Sequence, residues 1–312
     1  MEWIKPNINF DFVGKMKLAF RVSIALIVIS IASIVWHGGL NYGIDFAGGT
    51  LIQIKFQQDP SPDRIRSAFR AIGLTDSVIQ KIGEKEVVVR TAATQSDMRG
   101  LSDRIAESLA SLQGRDTFEI RRVEVVGPKV GKDLTRKAIL ALVFSWIGML
   151  VYIAWRFEFR YAVGGILALV HDTLIAIGSL SLLDKEFTLT IVAALLTIVG
   201  YSINDTIVVF DRVRENFRSL QKVDTREVLN RSVNQTLSRT VITSFVALLT
   251  VIALYIYGGD SLEGMAESQI CGIIVGTLSS IFVACPLLLL LGTTKMDMMP
   301  KVRDDADLAR RP

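Results

Sequence analysis

Along the chain, polar residues thin out in six places, leaving apolar stretches at 18–36, 138–155, 161–183, 187–210, 240–257 and 268–291. Each is long enough to cross about 30 Å of hydrocarbon as a helix, which takes about 20 residues. One such run could equally be the buried core helix of a soluble protein, but six exclude that reading. Between the first and second runs the period changes. Residues 50–56 alternate as a strand, and 62–72 place Ile65, Ala68, Phe69 and Ile72 on one helical face that ends at Gly73. Residues 77–82 and 86–90 read as strands joined at Gly83-Glu84-Lys85. A second helix follows at 96–112 with a stripe of Leu101, Ile105, Leu109 and Leu112, then a strand at 117–126.

This pattern predicts a polytopic α-helical membrane protein. Six transmembrane helices carry a β-α-β-β-α-β, ferredoxin-like α+β domain inserted between the first two. The expected organisation is an N-terminal segment 1–17, a first helix 18–36, an extracytoplasmic domain 37–137, a five-helix bundle 138–291 with a loop at 211–239, and a tail 292–312. The first run is read as an uncleaved anchor. Its apolar stretch exceeds the roughly 7–15 residues of a signal peptide, and no small-x-small cleavage site follows Trp36. Arg21 near its start can snorkel to the interface.

Composition sharpens this picture. Half the residues are apolar and 21% are charged, below the roughly one quarter usual in soluble proteins. With 35 Lys+Arg against 31 Asp+Glu the net charge is +4, and the basic residues are not evenly spread. Lys5, Lys15 and Lys17 precede the first run, and Arg156 and Arg160 separate the second from the third. Arg212 to Arg239 lie between the fourth and fifth, and Lys295 to Arg311 follow the sixth. The short connections on the other side carry only Lys185, with Asp260, Glu263 and Glu267 in the last one, and the long segment 37–137 crosses regardless of its charge. Basic residues mark cytoplasmic loops, so both termini are expected in the cytoplasm, as for a multi-pass protein of the bacterial inner membrane. The basic excess is orientation, and no nucleic-acid partner is expected.

Enzyme chemistry finds little support. Gly127 and Gly131 bracket three residues where a phosphate loop needs four, and Asp133 stands where that motif has Ser or Thr. Two histidines cannot build a His-rich metal site. Cys271 and Cys285 lie about 21 Å apart along one helix at 1.5 Å per residue, too far to bridge. Asp205 lacks the Gly-x-Gly context of an intramembrane aspartyl protease. No catalytic residue, metal or cofactor is expected.

The remaining signal lies inside the apolar runs. His171 and Asp172 interrupt the third, and Asn204 and Asp205 the fourth. A charge at the bilayer centre costs at least about 2.5–3.5 kcal/mol, and such residues usually pair or line a pathway. Thr190, Thr197, Tyr201 and Asn204/Asp205 recur on one helical face. Arg239, Thr243 and Thr250 form another on the fifth run, and Gly164, Ala168, Asp172 and Ser179 a third. A switchable carboxylate on such a seam can load and release protons. The plainer alternative is interhelical hydrogen bonding, worth only about 0.6 kcal/mol per bond, for which Ser or Thr would serve. Gly272 and Gly276 form a small-xxx-small packing contact.

Four segments carry a resemblance: Gly43-Ile-Asp-Phe-Ala-Gly-Gly-Thr50, His171-Asp172, Gly200-Tyr-Ser-Ile-Asn-Asp-Thr206 running into Val209-Phe-Asp-Arg-Val-Arg-Glu-Asn216, and Leu229-Asn-Arg-Ser-Val-Asn-Gln-Thr-Leu-Ser-Arg-Thr240. They closely resemble the SecF family of bacterial protein-export membrane proteins, of the SecD/SecF group and the resistance-nodulation-division-type superfamily. The resemblance implies an accessory subunit of the Sec protein translocase. With SecD it would use the proton-motive force to promote export of unfolded polypeptide, after the SecA ATPase has pushed it through SecYEG. It further implies Asp205 as the proton-carrying carboxylate, Arg239 as its electrostatic partner, and Asn204, His171 and Asp172 as supports. Protons and membrane lipid are then the only non-protein participants. The alternative is a proton-coupled small-molecule efflux half-transporter of the same superfamily.

Overall fold

The computed structural model describes residues 8–59, 61–74, 77–82, 85–92, 98–113, 117–220 and 222–293. Lys5, the Gly83-Glu84 turn, Ser96, the Leu112 side chain and the basic tail from Lys295 lie outside the described residues.

Among the described residues six helices are long and apolar enough to cross a membrane, and the protein is a multi-pass membrane protein. They are α1 (Met16–Trp36), α5 (Pro128–Arg156), α6 (Phe159–Leu182), α7 (Leu189–Ser219), α8 (Thr225–Tyr257) and a last span that begins as α9 (Asp260–Ser279). That last span continues through a π-helical turn, Ser280–Ala284, into α10 (Cys285–Leu290). Pro286 has no N–H to donate back along the helix, and π-helical turns are common where an α-helix must absorb such a defect. Several helices outrun their apolar stretches. α5 starts at Pro128 directly after the last strand, and α7 and α8 extend until residues 220–224 alone join them. The segment expected as a loop at 211–239 is therefore mostly helical. Its polar residues carry an amphipathic pattern, with Val213, Phe217, Val228, Leu229 and Val233 buried.

Between α1 and α5 sits the sheet domain. A short helix α2 (Ile44–Ala47) leads into β1 (Gly49–Phe56), followed by α3 (Pro62–Ala71), β2 (Ser77–Ile82), β3 (Glu86–Thr91), α4 (Met98–Gln113) and β4 (Phe118–Val126). The strands form one sheet in the order β2-β3-β1-β4 with every neighbouring pair antiparallel. This is the β-α-β-β-α-β order the sequence predicts, with β1 and β3 central. Alternation puts Ile52, Ile54 and Phe56 on one face, where they pack with Val87 and Val89 against Ile65, Phe69, Leu101, Ile105 and Leu109 of the two helices. Burying each such side chain contributes about 1.5–3 kcal/mol, enough for a core independent of the membrane helices. Gly49 has φ of +119°, and a Cβ there would lie 2.5 Å from the Thr91 carbonyl oxygen, so only glycine lets β1 enter the sheet against β3.

The membrane helices divide by burial. α6, α7 and the last span are each more than half buried within the chain, whereas α1, α5 and α8 bury only 11% of their apolar windows. The central three therefore carry the polar residues that must be kept from lipid, and the outer three present apolar side chains outward. α9 crosses α7 where Gly272 faces Ile198 and Gly276 faces Ser202; a Cβ at Gly272 would lie 2.3 Å from Ile198 Cδ1.

Candidate functional site

A layer of polar side chains crosses the middle of α6 to α9. Asp172 is 1% exposed. One carboxylate oxygen lies 2.8 Å from His171 Nδ1, and the other accepts a hydrogen bond from the Ser202 hydroxyl at 2.5 Å. One turn of α7 further on, Asp205 is 2% exposed and accepts a hydrogen bond from Thr243 of α8 at 3.3 Å. Its second oxygen, Oδ2, is buried without a partner among the described residues, as are His171 Nε2 and the Thr240 hydroxyl. Tyr201 completes the layer, its hydroxyl donating to Ser244 of α8 at 3.0 Å. Ser244 in turn lies 2.7 Å from the Thr277 hydroxyl of α9.

The sequence places these groups there by simple periodicity. Tyr201, Ser202 and Asp205 sit within one turn of α7, with Tyr201 and Asp205 at i,i+4 reaching α8 while Ser202 points to α6. Two buried carboxylates with three oxygens satisfied and one not make an uneven site. A buried polar atom without a partner costs about 1–3 kcal/mol, so Asp205 Oδ2 is where a proton or a second donor gains most.

Two of the expected site residues sit apart from the buried carboxylates. Asn204 does not belong to the interior: it is exposed on α7, with no hydrogen bond among the described residues. Consecutive residues point about 100° apart on a helix, so Asn204 and Asp205 cannot both face inward. Nor is Arg239 in contact with Asp205 in this conformation. Arg239 is exposed, no ion pair within 4.0 Å joins the two among the described residues, and Thr243, one turn further along α8, is level with the carboxylate instead. Asn204 and Arg239 lie instead along an exposed strip that runs down adjacent faces of α7 and α8, with Thr190, Thr197, Gly200, Asp211 and Thr250.

Other polar residues do structural work that periodicity does not single out. Asn216 near the end of α7 donates to Ser232 and Gln235 of α8, both at 2.8 Å. Asn234 holds residue 10 from both sides, accepting from the Phe10 amide and donating to its carbonyl, each at 2.9 Å. Asn230 accepts from the amides of Phe12 and Val13 at 2.8 and 3.3 Å. The segment that enters α1 is thus strapped to α8, and the Phe12 ring lies edge-on to Phe282 of the π-helical turn, 5.5 Å between centroids. The side chains of Asn230 and Asn234 read backbone, and such pairing leaves no signature in hydrophobic pattern.

A six-helix bundle with a sheet domain between its first two spans and a buried carboxylate layer across its central helices defines a membrane protein of the transport class. Comparison with known proteins makes this specific. The family model described as protein export membrane protein SecD/SecF, C-terminal, matches residues 105–294, and the SecD/SecF GG motif matches 34–60. A protein translocase subunit SecF of Calditerrivibrio nitroreducens is 46% identical over 295 residues, covering 93% of this chain and 97% of the relative. The corresponding subunit of Pseudomonas aeruginosa is 40% identical over 302 residues, covering 96% and 97%. Among solved structures, that of SecDF from Thermus, titled a translocon-associated membrane protein, superposes with a TM-score of 0.82 at 36% identity. That match covers 92% of this chain and 39% of the SecDF chain. A second SecDF structure, titled a super-membrane-facing form, gives a TM-score of 0.65. The chain belongs to the SecF family.

Proposed function

We propose that this chain is an accessory subunit of the Sec protein translocase that works with SecD and uses the proton-motive force to promote polypeptide export. The observation that carries the reading is Asp205: a carboxylate at 2% exposure, bonded through one oxygen to Thr243, with the other lacking a hydrogen-bond partner among the described residues. Loading a proton there removes a buried charge. Losing it calls for a cation, and Arg239, one turn from Thr243 on α8, is the arginine whose charge acts on that carboxylate. One charge moved through 100 mV is worth about 2.3 kcal/mol, enough to bias a hinge whose two states differ by a few kcal/mol. The exposed side chains of Asn204 and Arg239 support a protein partner here, since lipid satisfies neither, whereas Thr197 and Thr250 on the same strip bond the Ala193 and Val246 carbonyls of their own helices. SecD is that partner, and both termini lie in the cytoplasm, with SecYEG, SecA and unfolded polypeptide as the wider context. His171 and Asp172 act as supports, held by Ser202.

The test is Asp205→Asn in the full chain with SecD. Proton-driven export should be lost while SecD still co-purifies. Undiminished export in that variant sinks the relay role.

A second reading, an efflux half-transporter, draws on an apolar groove of about 300 Å³ between α1, α6 and α9, lined by Leu18, Val22, Leu26, Val275 and Phe282 with His171 at its edge. It predicts that a small apolar substrate stimulates proton flux in vesicles; export activity without such stimulation excludes it.

A further inference from the structure

Besides the direct run of β4 into α5, the connection between α6 and α7 holds the sheet domain to the membrane helices. The Phe187 amide donates to the Asn41 carbonyl at 2.7 Å, and the Gly43 amide donates back to the Phe187 carbonyl at 2.9 Å. Asp45 accepts from the Leu189 amide at 2.8 Å, capping the start of α7, and the rings of Phe46 and Phe187 lie 5.6 Å apart. All of these grip residues 41–46, the lead into β1. A further contact reaches a strand of the sheet beyond that lead: Arg90 of β3 pairs with Glu186, with side chains 14% and 19% exposed.

The connection is shaped to make this contact. Asp184 adopts φ of +50°, a left-handed turn that aspartate tolerates better than most residues. After that turn, successive side chains go opposite ways. Lys185 reaches back to Glu263 and Glu267 of α9, each at 3.0 Å, and Glu186 goes to β3. Three residues thus bridge the last membrane span and the sheet. The surroundings make Glu186 depend on Arg90. Burial pushes its carboxyl above the usual range, Arg90 pulls it back, and Asp184 and Asp45 of α2 push it up again. On the sheet side Arg90 is also held by Gln80 of β2 at 3.0 Å, so a pull on Glu186 is delivered to two strands.

We propose that Arg90 and Glu186 are positioning residues, whose ion pair is the joint through which displacement of α6 and α7 turns the sheet domain. The relation is one of geometry and holds whichever cargo the cycle serves. The lead at 41–48 enters the start of β1, and β4 runs through Gly127 directly into α5, so both of these links meet the sheet at the same end of the paired strands β1 and β4. The ion pair adds a point of attachment on β3, across β1 from β4, and so fixes the tilt of the sheet about that end. Breaking one partner of such a pair strands the other charge, whereas exchanging the two restores it.

The experiment measures distance distributions by pulsed electron resonance on the full chain in lipid vesicles. Spin labels replace Ser111 of α4 and Tyr257 of α8, both exposed, with Cys271 and Cys285 changed to Ala. The unaltered joint should give one narrow peak. Arg90→Glu and Glu186→Arg should each lose it to a broad distribution, and the double exchange should bring it back. Arg90→Gln and Glu186→Gln are measured beside them, because a single reversal can unfold the protein whereas the amides leave no stranded like charge. Broadening in the amides with recovery in the exchange supports the joint. Folded single variants that keep the narrow peak, or an exchange that stays broad while both amides stay narrow, overturn it. Export need not be measured for this result, so it stands apart from the fate of Asp205→Asn.

Discussion

Ser202 of α7 donates a hydrogen bond to Asp172 of α6 at 2.5 Å, and the same turn of α7 sends Tyr201 and Asp205 to α8. One helical turn therefore fastens three spans at one depth. Gly276 of α9 closes the layer, where a Cβ would lie 3.1 Å from Ser202 Cβ and 3.6 Å from Asp172 Oδ2. A rotation of α7 cannot move Asp205 without also moving the donor to Asp172. The two carboxylates are mechanically linked although no hydrogen bond joins them directly.

Ser202→Ala tests that linkage. It leaves Asp172 with His171 as its remaining partner, and stranding one side of a buried bond to a charged group costs about 1–3 kcal/mol. The purified protein should unfold at a lower temperature in detergent. An unchanged midpoint means that water or His171 fully replaces the hydroxyl.

Close packing at Gly272 is a separate prediction. Gly272→Ala drives a methyl into Ile198, and overpacking of this kind typically costs about 1–3 kcal/mol. Ile198→Ala opens a cavity in the same place. In the double variant the added methyl fills part of the vacated space, so the two costs should fail to add by about 0.5–3 kcal/mol. A double-mutant cycle on unfolding free energies decides it, and additive costs refute the contact.

The sheet domain and the six spans were legible because each depends on hydrophobic period alone. Ile52, Ile54 and Phe56 alternate, and Ile65, Phe69, Leu101 and Ile105 recur at helical spacing, so elements and core coincide. The polar layer was only partly legible. Asp172 and Asp205 stand out because carboxylates are costly in lipid, but nothing local says that Asp205 turns inward while Asn204 turns outward; the packing of α8 and α9 decides that. Ser202 and Thr243 are ordinary residues in apolar helices until a carboxylate faces them. Arg239 as the partner of Asp205 came only from the resemblance, and it is Thr243, one turn further along α8, that bonds Asp205.

The strap before α1 should behave as a unit held by two side chains. Asn234→Ala frees the Phe10 amide, and Asn230→Ala frees the Val13 amide and leaves the Phe12 amide only the Phe10 carbonyl, at 3.1 Å. Each lost bond is worth about 0.5–1.5 kcal/mol, so hydrogen exchange at these amides should quicken by up to about tenfold. Exchange in α8 beyond Val241 should not change. Equal rates in wild type and variants at positions 10–13 exclude the strap.

A pH dependence follows from Lys185. Burial lowers the affinity of its ammonium for a proton, but hydrogen bonds and charge from Glu263 and Glu267 outweigh this, and its pKa is raised above the ordinary 10.5. A cation whose pKa is higher in the folded state binds its proton more tightly there, so folding gains from it wherever the unfolded chain is also protonated. The contribution is therefore complete below about 10.5 and fades as pH climbs through the higher folded value. Lys185→Gln lacks it at every pH. The difference in unfolding midpoint between wild type and Lys185→Gln should stay constant from neutral to mildly alkaline pH, then shrink in strongly alkaline buffer. A gap that widens there instead reverses the sign and shows that burial, not the two glutamates, governs the site.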